Sequence, residues 1–215
     1  MEITWYGHSC FRLTERGMAT VVCDPFDFEA VGYTPLKLKA EIVTSSHDAP
    51  GHNNLDAAKG YTHAITGPGE FEIGGVFITG VQMDGQGKKA AEKPRNTIYV
   101  FDYMGITVAH LGDLRSVPPQ TEIEALGTVN VALVPVGGGD GLNAAKAAEI
   151  VSLLEPNLVI PMHYHTPAAK VELDRLEKFL KEMGLHEAET VQNLKVVKTG
   201  LPDETKVIVL DYQRD

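Results

Sequence analysis

The chain has 215 residues, 43% of them hydrophobic, and a formal charge of −10. That is enough apolar material to build the core of one domain without a disulfide or structural metal. The acidic balance argues against a nucleic-acid backbone as main partner, because phosphate binding rests on clustered Lys and Arg; no apolar run approaches the length that spans a bilayer.

In chain order, EITWYG, CFRLTE and ATVVCD alternate or run apolar over strand-like lengths, broken by Gly-His-Ser and Arg-Gly. The start, MEITWYGHSC, lacks the basic and apolar regions of a signal peptide, so a cytoplasmic location is expected. If Arg16-Gly17 is a two-residue hairpin turn, Cys10 and Cys23 fall opposite each other. In a reducing cytosol they are then expected to be two buried free thiols. Residues 25–40 read as an irregular excursion, with Asp24-Pro25 a strand-end turn that packs under a site. EIVTSS is a short strand that feeds the polar loop HDAPGHNNLD and a short helical stretch, LDAAKG.

HAITG, EFEIGG and VFITGVQ follow as strands punctuated by Gly, and MDGQGKKAAEKP as a long solvated loop. NTIYVFDYMGITVAHLGD reads as a hairpin through Tyr103-Met104-Gly105. Then the rhythm changes. VNVALVPV and LVIPMHY are buried strands, and Asn143 caps a helix through Leu154 that Pro156 ends. Thr166 caps a second helix starting at Pro167, with Leu173, Leu176, Leu180 and Met183 on one face. KVIVLDY is a last strand. Strands first, then strands alternating with helices, predict an α/β sandwich: two packed sheets with helices outside.

Six of the eight histidines stand where a predicted strand runs out: His8, His47, His52, His110, His163 and His165. Asp113 lies three residues past His110. Strand ends face one rim of a sheet, so distant segments can supply one cluster suited to a transition metal such as zinc. His63 and His186 read as surface histidines, and Trp5 as core. Gly137-Gly138-Gly139 reads as a connection to the Asn143 helix. Arg95 and Arg115 could meet an anionic substrate, although solvated or ion-paired arginines are commoner.

Four pieces, WYGHSCF with CDPF after it, SSHDAPGH, AHLGDL and IPMHYHT, carry a resemblance. The chain resembles the metallo-β-lactamase-fold hydrolases over nearly its whole length, and is most similar to the L-ascorbate-6-phosphate lactonase-like branch. The resemblance implies one domain over residues 1–215, a four-layer αββα sandwich. The family's first metal motif, His-x-His-x-Asp-His, falls on His47-Asp48-Ala49-Pro50-Gly51-His52, so its second His is Ala49 and its Asp is Gly51. The next His falls near Met83-Asp84, the bridging carboxylate on Asp113 and the last His on His163.

The metal set implied is therefore His47, His52, Asp113 and His163, a degenerate motif expected to hold one divalent ion, zinc first and manganese as alternative. A metal-free protein stays open. Asp113, Asp48 and His110 are the catalytic candidates, and His8 and His165 the substrate contacts. The expected activity is hydrolysis of an ester, lactone or phosphoester in a small molecule, with no nucleic-acid or membrane partner; a homo-oligomer is compatible. The rival is a catalytically decayed member that binds a ligand or serves assembly.

Overall fold

The computed structural model describes residues 1–83 and 95–214, so most of the long loop after VFITGVQ lies outside the described residues. Among the described residues, sixteen strands form two large sheets and a two-stranded ribbon. The first sheet contains β1 (Glu2–Trp5), β2 (Phe11–Thr14), β3 (Val21–Cys23), β5 (Ile42–Thr44), β7 (His63–Ile65) and β15 (Leu194–Lys195). The second runs β14 (Glu189–Val191), β16 (Lys206–Leu210), β13 (Leu158–Met162), β12 (Val131–Pro135), β11 (Thr107–His110), β10 (Asn96–Asp102), β9 (Val76–Met83) and β8 (Gly69–Ile73). The ribbon pairs β4 (Leu38–Lys39) with β6 (Ala58–Lys59).

The composition of each strand explains its place. VALVP and LVIPM are apolar without interruption, and β12 and β13 pair in parallel with every residue buried. Parallel neighbours need a crossover, which α3 (Ala144–Leu154) supplies. The Asn143 side chain accepts the Lys146 N–H at 3.0 Å and caps its start, and Glu155 ends it in a left-handed conformation just before Pro156. Ala144, Ala147, Ile150 and Val151 form its buried face. The β10–β11 turn is made by Met104 (φ 55°) and Gly105 (φ 82°), the two positive φ values a tight hairpin requires.

The two sheets share one apolar core, from Ile3, Phe11, Leu13 and Val21 on one side to Ile78, Ile98 and Phe101 on the other. Tyr99 fastens them together, its single hydroxyl proton shared between the carbonyls of Ser45 and Ile65, each 3.1 Å away. Helices α3 and α4 (Leu176–Glu182) cover the outer face of the second sheet, beside the short α2 (Gln120–Glu124). The outer face of the first sheet is covered thinly. There the four-residue α1 (Phe28–Val31) and the ribbon supply Val31, Leu38 and Ala58 against Val22 and Val43. This is the αββα order, with one outer layer reduced to fragments.

Three expectations are corrected. The β2–β3 register pairs Phe11 with Cys23, because the connection spans more than Arg16-Gly17. Cys10 and Cys23 therefore project to opposite faces of the sheet, into different cores, both as free buried thiols. The second helix begins at Leu176, not Pro167. Residues 168–174 give their backbone to distant partners instead: Lys170 donates to Val31 at 3.0 Å, Asp174 to Gly137 at 2.7 Å, and Asp174 accepts from His165 at 2.8 Å. Finally, LDAAKG is one 3₁₀ turn (Leu55–Ala57) running into β6, because Ala58 and Lys59 are taken up by the ribbon.

Candidate metal centre

At one rim, strand ends from both sheets converge. His8 follows β1, Asp24 follows β3, His47 and His52 lie on the loop after β5, Asp113 follows β11 and His163 follows β13. All six are buried. Three of them turn out of their strands through left-handed backbone: His8 at φ 50°, Asp24 at 43° and His163 at 52°. These are uncommon conformations for non-glycine residues, and the surroundings hold them. The His8 carbonyl accepts from the Trp5 indole at 3.1 Å and from the His163 backbone N–H at 3.0 Å, tying two strand ends from different sheets.

Ligand-capable atoms of His8, His52 and His163 lie within 4.8 Å of one another, and so do those of His47, His52 and Asp113. His52 belongs to both sets. They open into a cleft of about 460 Å³ whose walls include Val31, Arg115, Asp140 and Leu173.

Beneath the histidines Asp24 organises the rim. Its carboxylate accepts from the Ser46 backbone N–H at 2.7 Å, the Ser46 hydroxyl at 2.6 Å and the His52 Nδ1–H at 2.8 Å. With its proton given to Asp24, the Ser46 hydroxyl can accept from His47 Nδ1, 3.0 Å away. Both rings thereby carry their proton on Nδ1 and keep the Nε2 lone pair for a ligand, the usual carboxylate control of metal-binding histidine. Burial pushes the Asp24 carboxyl upward, but His110 nearby and the hydrogen bonds from His52 and Ser46 outweigh it and hold the group at about 2. The sequence shows Asp24 only as part of a turn; its role becomes visible when β3 and β5 pair in parallel and bring Asp24 alongside Ser46.

Burial keeps the His8, His47 and His163 imidazoles neutral. It lowers His47 to about 4, with the nearby His52 acting in the same direction. It also lowers His163 to about 4, against the pull of Asp113, and carries His8 well below its ordinary value, helped by His163, His52 and His47. A divalent ion would meet little proton competition here at neutral pH. The Nδ1 atoms of His8 and His163 and the Oδ1 atom of Asp113 are buried without a hydrogen-bond partner. Unpaired buried polar atoms are costly, and each of these belongs to a residue of one of the two triads that could hold an ion. The residues fit a transition metal.

The remaining candidates lie elsewhere. His110 uses both ring nitrogens structurally: Nε2–H donates to the Ser9 carbonyl at 2.8 Å, and Nδ1 accepts from the Gly112 N–H at 3.1 Å. It shapes the turn that carries Asp113 and leaves no ring nitrogen for proton transfer. Asp48 is exposed, takes a hydrogen bond from the Asn53 amide and is absent from the cleft wall. His165 lines a separate cavity with Trp5, Tyr164 and Tyr212. Strand alternation would have put it beside His163, but β13 ends at Met162 and the positive φ of His163 breaks the alternation. Asp140, which sequence reasoning passed over, lines the cleft next to Gly139.

Comparison with known proteins bears on the fold and family. Residues 2–163 match the family described as Beta-lactamase superfamily domain. A UPF0173 protein of Pyrococcus furiosus is 30% identical, over 85% of this chain and 90% of its own length. A UPF0173 metal-dependent hydrolase of Thermoplasma acidophilum is 28% identical, over 77% and 84% respectively. Among solved structures, a candidate zinc-dependent hydrolase of the metallo-beta-lactamase superfamily from Thermotoga maritima superposes with a TM-score of 0.80 at 37% identity, covering 99% of both chains.

Proposed function

The chain belongs to the beta-lactamase superfamily domain family, in its UPF0173 branch, and from that membership we propose a metal-dependent hydrolase that cleaves an ester, lactone or phosphoester bond in a small molecule. The observation that carries the reading is the convergence of buried neutral imidazoles and an unpartnered Asp113 oxygen on one cleft.

His8, His52 and His163, or His47, His52 and Asp113, are the residues that would hold the ion, zinc first and manganese as alternative. When bound, a divalent ion supplies a water pKa brought toward neutrality and a Lewis acid for the substrate oxygen. The protein supplies the rest. Asp24 and Ser46 fix the tautomers of His52 and His47. Arg115, whose Nη2 is 3.8 Å from Asp113 Oδ2, places a positive charge on the cleft wall and suits an anionic substrate. With Gly51 lacking a side chain, Asp113 and Asp140 are the carboxylates on the cleft wall. Val31 and Leu173 give the cleft an apolar side.

The test is protein purified without chelator, assayed for bound metals and for turnover of aryl ester, lactone and phosphodiester probes before and after metal removal and reloading. Turnover that disappears with the metal and returns on reloading supports the proposal. Protein that takes up no metal and hydrolyses no probe overturns it. Metal uptake without turnover favours the ligand-binding reading, to which Ala49 and Gly51 already lend support.

A further inference from the structure

The absent side chain at position 51 has a spatial counterpart. A Cβ built on Gly51 would lie 2.6 Å from His8 Nε2, 3.1 Å from His8 Cδ2 and 3.2 Å from Val31 Cγ1. The His8 ring therefore occupies the space that a side chain at 51 would need. Gly51 has no positive φ that would call for glycine, so steric room for the ring accounts for it better than backbone geometry does.

The ring so admitted completes a triangle. The ring centroids of His8 and His163 are 4.3 Å apart, those of His8 and His52 5.0 Å, and those of His52 and His163 5.7 Å. Imidazoles bound tetrahedrally at ordinary zinc–nitrogen lengths place their ring centres ~5 Å apart. The observed spacings bracket that value. Each member is also held from behind. His52 is bonded to Asp24 through Nδ1, and the backbones of His8 and His163 are bonded to each other.

We propose that His8, His52 and His163 form a three-histidine site for one divalent transition ion, and that Gly51 exists to admit His8 to it. The histidine delivered by the turn after β1 takes over the position that the family motif gives to an aspartate on the loop after β5. His8 is then a metal ligand, not the substrate contact its sequence position suggests. His47 and Asp113 stand beside the ion and line the same cleft. Three neutral ligands leave the ion's full positive charge on the site, which suits an anionic substrate. The inference rests on the metal-dependent reading above and specifies its ligands.

The test is cobalt(II) titration of the metal-free full-length protein, followed by visible absorption, whose intense bands mark four-coordinate geometry. His8→Ala and His47→Ala are titrated beside the parent and Gly51→Ala, with thermal unfolding of each metal-free variant as a folding control. His8→Ala should weaken cobalt binding by at least about 10–100-fold, the range that even an outer partner of a ligand commands. His47→Ala should keep the intense bands. Gly51→Ala keeps every ligand yet must displace the His8 ring, so it too should weaken binding; it decides alone if His8→Ala does not fold. Parent-like titration of both folded His8→Ala and Gly51→Ala overturns the three-histidine site while leaving the metal-dependent reading standing. A parent that binds no cobalt overturns both.

Discussion

Replacing Asp24 by Asn is the sharpest test of how the rim is organised. The carboxylate accepts three hydrogen bonds, two from Ser46 and one from His52, and is 0% exposed. Asn tolerates the left-handed backbone found at this position, so the change leaves the chain path unstrained. It turns one acceptor oxygen into a donor facing Ser46 Oγ and the His52 Nδ1–H. Hydrogen bonds to a charged group contribute roughly 1.5–3 kcal/mol each, and about one should be lost outright while another is weakened. The acid–base shift gives an independent figure: lowering the carboxyl from 3.8 to about 2 corresponds to roughly 2–3 kcal/mol of native-state preference. The group's folded value is depressed, so this stability is present above pH 3.8 and is lost as pH falls through about 2. Urea unfolding of metal-free Asp24→Asn at pH 7 should therefore show a loss of about 3 kcal/mol, and cobalt affinity should fall about 10–100-fold as His52 loses its tautomer lock. A variant within about 0.5 kcal/mol of the parent, the ordinary scatter of surface substitutions, with unchanged cobalt affinity would refute the role given to Asp24.

The neutral histidines set the acid limit. His47 and His163 titrate near 4 in the fold against 6.5 in an unfolded chain. The unfolded state then binds more protons between those values, so stability of the metal-free protein should decline as pH falls from 6.5 toward 4, by roughly 3 kcal/mol for each ring; a flat unfolding profile over that window would contradict it. Gly137→Ala would put a Cβ 2.2 Å from the His163 carbonyl oxygen and 2.8 Å from Tyr164 Cα, both backbone atoms. It should cost about 1–3 kcal/mol in urea unfolding, the usual range for overpacking, and it should also weaken cobalt binding by shifting His163. Cys10 and Cys23 are 0% exposed and burial raises both thiols, so neither should react with a thiol reagent in native protein at pH 8, while both should react after denaturation.

The fold was legible wherever local pattern and tertiary demand coincide. Continuous apolar runs marked β12 and β13, and Asn143 with Pro156 bounded α3, because burial on both faces and helix capping are both written in neighbouring residues. The second helix was misplaced because Thr166-Pro167 is a sound local start signal that long-range backbone bonds from 168–174 override. The cysteine register failed by a single residue, enough to send Cys10 through to the other face. At the rim, strand ends pointed to six histidines and Asp113, and the family resemblance singled out His47, His52, Asp113 and His163, which the structure brings into one cleft. His165 was separated from them by one backbone torsion at His163, and Asp24 needed a pairing between strands that no local motif announces.

The left-handed turns at His8, Asp24 and His163 set the site against the scaffold that carries it. Each puts an L side chain where glycine or asparagine would rest more easily, at a cost of order 1–3 kcal/mol for each such residue. A lineage selected for heat resistance alone would be expected to relax His8 and His163, whose buried Nδ1 atoms also lack partners, and each relaxation would remove a ring; Asp24, held by three hydrogen bonds, would stay. Thermostabilising libraries of this chain should therefore be screened for cobalt binding from the first round, because gains in melting temperature are open at two of the rings that make the rim chemically competent.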